Sequence, residues 1–142
     1  MNQFCIVIPN YNHTHAIASV ILELNALKLP IIMVDDGSCD DAKQVFASLQ
    51  QQYDDLTVLT HTENQGKGGA VQTGLLYAHE HGFSHAIQVD ADGQHSLDDI
   101  AKLIELSNNE PNNVISGCPI YDSSVPKHRY LSRYITHFWV WV

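Results

Sequence analysis

The chain has 142 residues, of which sixteen are Asp or Glu and seven are Lys or Arg, so its formal net charge is -9. An apolar fraction of 44% is typical of a globular protein, and this length is enough for one domain with its own core. The acidic balance argues against a nucleic acid partner, because phosphate backbones are bound by basic surfaces. It is compatible with a metal ion, or with a small ligand that binds together with one.

Five short apolar runs are predicted to be strands, and four amphipathic patterns between them are predicted to be helices. The runs lack polar alternation, which indicates strands buried on both faces, as in a parallel sheet. The alternation of the two patterns predicts an α/β fold: a doubly wound, mostly parallel sheet with helices on both faces. The predicted strands are residues 4–8, 31–34, 56–59, 86–89 and 114–116, and the predicted helices are residues 14–27, 40–53, 68–81 and 96–106.

Residues typical of helix ends support these boundaries. Ser38 is expected to cap the second helix and Ser96 the fourth, because a serine hydroxyl accepts a hydrogen bond from the first turn. Gly82 is expected just after the third helix, where a left-handed backbone is common. Residues 119–130 contain two prolines and predict a loop.

The last residues, 130–142, are rich in aromatic side chains and follow a short basic stretch. They are predicted to form an aromatic amphipathic helix that packs in a core. Two alternatives stay open: peripheral contact with a membrane surface, or one wall of an acceptor groove.

The three cysteines are Cys5, Cys39 and Cys118, and their wide spacing fits neither a disulfide framework nor a zinc site. We expect reduced thiols in a cytoplasmic protein. No segment reaches the roughly 18 apolar residues of a membrane span, and the first residues lack the basic region of a secretory signal.

Polar groups directly follow three of the predicted strands, at residues 9–12, 35–38 and 90–95. In open α/β sheets, ligands bind outside the carboxyl ends of the strands. We therefore expect the three groups to meet at one ligand site, and this coincidence is a stronger indication than any single motif.

Asp90 and Asp92, together with Gln94, offer hard oxygen ligands that suit Mg²⁺ or Mn²⁺. The alternative is a solvated acidic turn. A calcium-binding EF-hand loop is excluded, because its sixth and twelfth positions would be His95 and Ala101 instead of Gly and Glu. In the common phosphatases with an aspartyl nucleophile, Asp-x-Asp follows the first strand, whereas here it follows the fourth.

Two further segments are candidates for nucleotide contacts. Asp36 either accepts a hydrogen bond from a base or ribose or belongs to a structural turn, whereas Asp35 is expected to be structural. Residues 64–69 lack the phosphate-loop pattern, but a glycine-rich helix start offers N–H groups to anions, and Lys67 either pairs with a diphosphate or is simply exposed. His95 is the histidine placed for a role at the site.

Taken together, these segments resemble inverting glycosyltransferases of family 2, which have the nucleotide-diphospho-sugar transferase (GT-A) fold. The last motif is most similar to the dolichyl-phosphate mannose synthase and polyprenyl-phosphate glycosyltransferase branch. The matching segments are Ile-Pro-Asn-Tyr-Asn (8–12), Val-Asp-Asp-Gly-Ser (34–38), Asn-Gln-Gly-Lys-Gly-Gly-Ala (64–70) with Gly74, and Asp-Ala-Asp-Gly-Gln-His (90–95).

The resemblance implies a role for each matched position. Asp36 would contact the base, Lys67 the nucleotide or its diphosphate, and Asp92 the Mg²⁺ or Mn²⁺ that neutralises the leaving diphosphate. The residues implied in nucleotide-sugar binding are Pro9, Tyr11, Asn12, Asp36, Lys67, Asp90, Ala91 and Asp92, and those implied in metal binding are Asp90, Asp92 and Gln94.

Two departures from the family pattern concern the donor contacts and the acceptor side. The branch often has Glu after Tyr-Asn, where this chain has residues 13–15, His-Thr-His. Family members also continue with acceptor-side segments, so we expect residues 1–118 to be a nucleotide-sugar-binding domain. Residues 119–142 would then begin an acceptor-side segment of a domain cut short at its C-terminus. A catalytic base would lie beyond residue 142 or not be needed.

We therefore predict an inverting glycosyltransferase that uses a nucleotide-diphospho-sugar donor, a divalent metal and a polyprenyl-phosphate or glycan acceptor. Such an enzyme would be cytoplasmic, at the inner face of the membrane if its acceptor is a lipid. The rivals are a donor-binding module without transfer activity, a nucleotidyltransferase of related fold, and a non-enzymatic interaction domain. A nucleotidyltransferase should have a Gly-rich, basic loop after the first strand, and this sequence lacks one there. An interaction domain would leave the acidic residues at the strand ends unexplained.

Overall fold

A parallel sheet forms the centre of the computed structural model, which describes residues 3–93 and 96–117. Within these residues the sheet has four strands in the spatial order β3-β2-β1-β4. Strands and helices alternate along the chain as β1 (Phe4–Asn10), α1 (Ile17–Asn25), β2 (Ile31–Asp35), α2 (Asp40–Gln52), β3 (Leu56–Thr60), α3 (Gly66–Glu80), β4 (His85–Gln88) and α4 (Leu97–Asn109).

The side chains of β1 alternate between two apolar layers, because successive residues of a strand point to opposite faces. Ile6 and Ile8 are fully buried in the larger layer, which contains the inner faces of α1 and α2 and Ile100 of α4. Cys5 and Val7 are fully buried in the smaller layer, which contains the inner face of α3. Helices therefore cover both faces of the sheet, which confirms the predicted doubly wound α/β fold.

The carboxyl end of β1 is paired on one side only. Its pairing with β2 continues to Asn10, which lies opposite Asp35, whereas its pairing with β4 covers Phe4–Val7. Pro9 has no N–H to donate to a neighbouring strand. β1 therefore extends past its last residue pair with β4, and the loops that follow these two strands begin at different levels along the sheet.

Most predicted elements are confirmed within a few residues, but two predictions about them are wrong. Ser38 does not cap α2: the cap residue is Cys39, and the Ser38 hydroxyl accepts a hydrogen bond from the Asn12 N–H at 2.9 Å instead. Residues 114–116 lie in no strand, and Val114 is 96% exposed. That run is apolar by composition, but no described strand pairs with it.

Two of the predicted helix ends are confirmed. The Ser96 hydroxyl accepts a hydrogen bond from the Asp98 N–H in the first turn of α4. Gly82 follows α3 with a φ of +82°. The predicted loop at 119–130 and helix at 130–142 lie outside the described residues. Among the helices of the described residues, none combines the length and apolarity needed to cross a membrane.

Candidate functional site

A cavity of about 660 Å³ lies at the carboxyl edge of the sheet. All three polar segments predicted to meet there contribute to its wall, and the start of α3 forms a fourth part. The lining residues are Pro9, Asn10, Tyr11, His13, Asp36, Asn64, Gly66, Lys67, Ala70, Asp90, Ala91 and Asp92. Parallel strands place their following loops at one edge, which is why segments so distant in sequence come together.

Asp36 is the buried carboxylate of this wall, with an exposed fraction of only 2%. Its Oδ1 lies 2.7 Å from Nδ1 of His61 and accepts the Gln65 N–H at 2.8 Å. Burial by itself raises the pKa of Asp36, but the N–H groups of Gln65 and Gly66 and the His61 ring outweigh it and lower the pKa below its ordinary value. Asp36 is therefore an ionised hydrogen-bond acceptor at neutral pH.

His61 was not singled out by the sequence patterns, although it connects three elements of the site. It follows β3, is 9% exposed, and its Nε2 lies 2.9 Å from the hydroxyl of Thr73 on α3. Its backbone N–H donates to the carbonyl of Asp35. The sequence did contain a signal for it: His61 directly follows β3, and β3 pairs with β2, which Asp36 follows. The histidine belongs to no recognised motif, however.

Asp35 is structural, as predicted, because it is fully buried and its Oδ1 accepts the Ser38 N–H at 2.9 Å. The Asn12 side chain has a similar role at the start of α2, where its Oδ1 accepts the Cys39 N–H at 2.9 Å. Asn12 has a φ of +58° and does not line the cavity. Tyr11, by contrast, is half exposed at the cavity wall.

The turn after β1 is held by hydrogen bonds between the Asn10 side chain and the His13 backbone. The amide of Asn10 donates to the carbonyl of His13 at 3.1 Å and accepts the His13 N–H at 3.0 Å. Asn10 is 2% exposed, so these bonds are protected from water. The loop that carries Tyr11 is consequently fixed at both ends.

Opposite charges meet where the start of α3 and the turn after β4 line the cavity. Lys67 on the first turn of α3 forms an ion pair of 2.7 Å with Oδ1 of Asp90, and the Gln88 amide donates to the same oxygen at 3.2 Å. Asp92 also lines the cavity, and Ala91 between the two carboxylates is buried. The cavity thus contains a cation and two carboxylates within one polar wall.

The donor set suits a hard cation that keeps part of its water shell. The carboxylates of Asp90 and Asp92 supply the oxygen ligands that Mg²⁺ and Mn²⁺ prefer. Within the described part of the chain there is no group of three or more His, Cys, Asp or Glu side chains that would enclose a metal by itself. A bound phosphate and water would therefore complete such a site. Gln94 and His95, both predicted for this site, lie outside the described residues.

The sequence is similar to those of several known proteins. Residues 5–141 match the model of the family described as glycosyl transferase family 2. A UDP-N-acetylglucosamine–dolichyl-phosphate N-acetylglucosaminyltransferase from Methanococcus voltae is 33% identical over 141 residues, which cover 90% of this chain and 56% of that protein. A dolichyl-phosphate beta-glucosyltransferase from Saccharomyces cerevisiae is 33% identical over 112 residues, covering 70% of this chain and 33% of the relative.

A solved structure shares the fold. It is a mannosyltransferase from Pyrobaculum calidifontis in complex with GDP-Man and Mn²⁺, with a TM-score of 0.62 and 23% identity. The superposition covers 74% of this chain and 32% of that one. This chain spans little more than half the length of the Methanococcus relative and about a third of the yeast one.

Proposed function

The chain belongs to glycosyltransferase family 2, and from that premise we propose that it binds a nucleotide-diphospho-sugar together with a divalent metal and takes part in inverting sugar transfer. The observation that supports this most is the cavity at the carboxyl edge of the sheet. It brings Asp36, Lys67, Asp90 and Asp92 together from two separate loops and the start of a helix. The carboxylates can accept hydrogen bonds from a base or hold a metal ion, and the Lys67 ammonium can pair with a phosphate.

The nucleoside end of the donor is assigned to the side of Asp36. The buried, ionised carboxylate accepts a hydrogen bond from a base N–H, and Pro9 and the half-exposed ring of Tyr11 supply apolar surface beside it. Asn12 supports this side indirectly, since it joins the loop after β1 to the start of α2.

The diphosphate is assigned to the start of α3 and the acidic turn after β4. Gly66 and Lys67 begin α3, where the positive end of the helix dipole favours an anion. Lys67 pairs with a phosphate oxygen, while Asp90, Asp92 and Gln94 hold the metal. A bound Mg²⁺ or Mn²⁺ neutralises charge on the departing nucleoside diphosphate. Ala91 keeps the two carboxylates in place because its buried methyl group anchors the turn.

The acceptor we propose is a polyprenyl phosphate of the dolichyl-phosphate type. Both named relatives carry dolichyl phosphate in their names. A phosphate oxygen is already anionic near neutral pH and needs no base to attack the sugar carbon, in contrast to a glycan hydroxyl. Residues 1–118 would bind the donor, and residues 119–142 would begin the acceptor side at the membrane face.

Titration of nucleotide-sugars tests the donor site. UDP-GlcNAc, UDP-glucose and GDP-mannose are added to the wild type by calorimetry, with and without Mn²⁺. We expect metal-dependent binding of at least one, lost by about tenfold or more in Asp92→Asn. Asp54→Asn makes the same charge change in the exposed turn before β3 and should bind normally. Absence of metal-dependent binding to all three would reject the proposal.

Transfer is tested separately from binding. The donor that binds is incubated with the chain, Mn²⁺ and a short polyprenyl phosphate, and the lipid product is analysed for the configuration at the sugar carbon. We expect the configuration to be inverted relative to the donor. Tight donor binding without any product would assign this chain to donor binding alone, and a retained configuration would contradict the inverting mechanism.

A further inference from the structure

Three side chains, those of Asp36, His61 and Thr73, form a row of hydrogen bonds that begins at the cavity wall. The ring of His61 lies between the carboxylate of Asp36 and the hydroxyl of Thr73, at 2.7 Å and 2.9 Å. His61 and Asp36 are both buried, and Thr73 stands on α3. Asp36 follows β2, His61 follows β3 and Thr73 lies in the middle of α3. The row of hydrogen bonds is therefore formed by tertiary packing and not by a local turn.

The direction of these hydrogen bonds follows from the groups themselves. Asp36 is an acceptor, since two backbone N–H groups already point at its carboxylate, so Nδ1 of His61 must donate to it. The Thr73 hydroxyl either donates to a bare Nε2 or accepts from a protonated one. Every ring nitrogen of His61 is therefore satisfied in either charge state, which keeps the imidazole in one orientation.

The two oxygens of Asp36 are used unequally. Oδ1 takes both the His61 ring at 2.7 Å and the Gln65 N–H at 2.8 Å, whereas no hydrogen bond of that length reaches Oδ2 from the residues that the structure describes. Asp36 also lines the cavity. A carboxylate with one oxygen tied by two donors cannot rotate freely about its last bond, so its second oxygen keeps a fixed direction.

We propose that His61 is a positioning residue for nucleotide recognition: with Thr73 behind it, it holds one oxygen of Asp36 so that the other is the fixed acceptor for a base N–H. The inference rests on the proposed nucleotide-sugar site and adds a residue to it. His61 itself does not line the cavity, so it acts on the ligand only through Asp36.

A fixed acceptor discriminates between bases of the same ring size. Uracil and guanine present a ring N–H where cytosine and adenine present a bare ring nitrogen, which a carboxylate repels. A positioning role therefore appears in the ratio of affinities for UDP over CDP or for GDP over ADP. If the role of His61 were purely structural, replacing it would lower the affinity for all four nucleotides by the same factor and leave both ratios unchanged.

The test measures Kd values of the full chain for UDP, CDP, GDP and ADP with Mn²⁺ present. We expect His61→Phe, which fills the space without a donor, to lower the ratio for the preferred base about tenfold. His61→Asn should restore most of it, because an Asn amide can donate from nearly the position of Nδ1. His85→Phe is the matched control, since His85 stacks on Phe4 in β1 and does not line the cavity.

Three outcomes decide the matter. An unchanged ratio in folded His61→Phe, or an equal loss in His61→Asn, overturns the positioning role while the nucleotide site stands. If the wild type binds none of the four nucleotides, the proposed function fails and this inference falls with it. Where His61→Phe does not fold, Thr73→Val carries the test: loosening the ring should lower the ratio about threefold, and no change overturns the proposal.

Discussion

The ammonium nitrogen of Lys67 lies 2.7 Å from Oδ1 of Asp90, so the first turn of α3 and the turn after β4 are joined by opposite charges where they line the cavity. The pair is open to solvent, with 59% and 36% of the two side chains exposed. Exposed ion pairs of this kind are held by at most about 1 kcal/mol. A metal and a diphosphate can therefore displace the pair, each taking the partner of opposite charge.

This exchange predicts opposite effects of one substitution. In Lys67→Met, Mn²⁺ alone should bind up to about fivefold more tightly, because the Lys67 ammonium no longer competes for Asp90. UDP or GDP with Mn²⁺ should bind about tenfold more weakly, because a charged hydrogen bond to phosphate is lost. Calorimetry of both ligands measures the two effects. Lys102→Met, which breaks the pair with Asp99 on α4, is the control, and parallel changes would contradict the exchange.

Gly37 lies where the turn after β2 touches the loop before α3. Its φ is +73°, and a Cβ there would stand 2.7 Å from the backbone of Glu63 and Asn64. We expect Gly37→Ala to destabilise the fold by about 2–4 kcal/mol, through strain and displacement of that loop. Because the loop supplies the Gln65 N–H to Asp36, nucleotide binding should fall as well.

A second glycine separates backbone strain from the collision. Gly82 has a φ of +82° but nothing within 4 Å of a Cβ. Gly82→Ala should therefore cost only about 1 kcal/mol and leave nucleotide binding unchanged. Urea unfolding of both variants measures the difference. Equal losses of stability would mean that the close approach of the two loops has no energetic consequence.

Gly74 lets α3 approach the sheet. A Cβ at this position would lie 2.5 Å from a methyl group of Val7 and 3.3 Å from one of Val34, both fully buried. Valine side chains have little rotamer freedom, so Gly74→Ala should lower stability by about 1–3 kcal/mol. Gly68→Ala, in the same helix with open space around it, should raise stability by about 0.5–1 kcal/mol. A shared sign in thermal unfolding would contradict this packing.

The lowered pKa of Asp36 predicts a sensitivity to acid. A carboxyl whose pKa is lower in the folded state stabilises the fold above its unfolded pKa of about 4, and this stability is lost as the pH falls through the folded value. Urea unfolding at pH 5 and pH 3 should show a larger loss for the wild type than for Asp36→Asn. The pKa itself is measured by carboxyl NMR titration, and a value at or above 3.8 would contradict the geometry.

The fold and the location of the site were predictable because they depend on short, local patterns. An apolar run such as residues 31–34 has both faces buried in any doubly wound sheet, and polar residues just after it must lie at the ligand-binding edge. The contribution of Asp36, Lys67 and Asp90 to one cavity wall follows from that topology alone.

The rest depends on distances that no local pattern contains. His61 meets Asp36 because the loops after β2 and β3 are neighbours in space, although 25 positions separate the two residues. Ser38 precedes two acids at a helix start, as a capping residue would, but its hydroxyl is engaged by the loop after β1. Which of several chemically equivalent partners a hydroxyl or imidazole meets is decided by tertiary packing.

The spatial order β3-β2-β1-β4 gives this cavity a thermodynamic property. The cavity wall is contributed by the segments after β1, β2 and β4 and by the start of α3, so we expect binding to require that these elements are folded together. A nucleotide that binds here would thus act on the unfolding of the whole domain, shifting its midpoint with the logarithm of ligand concentration. Thermal shift would then report binding without a label, and amide exchange would slow in the central strands as much as in the loops.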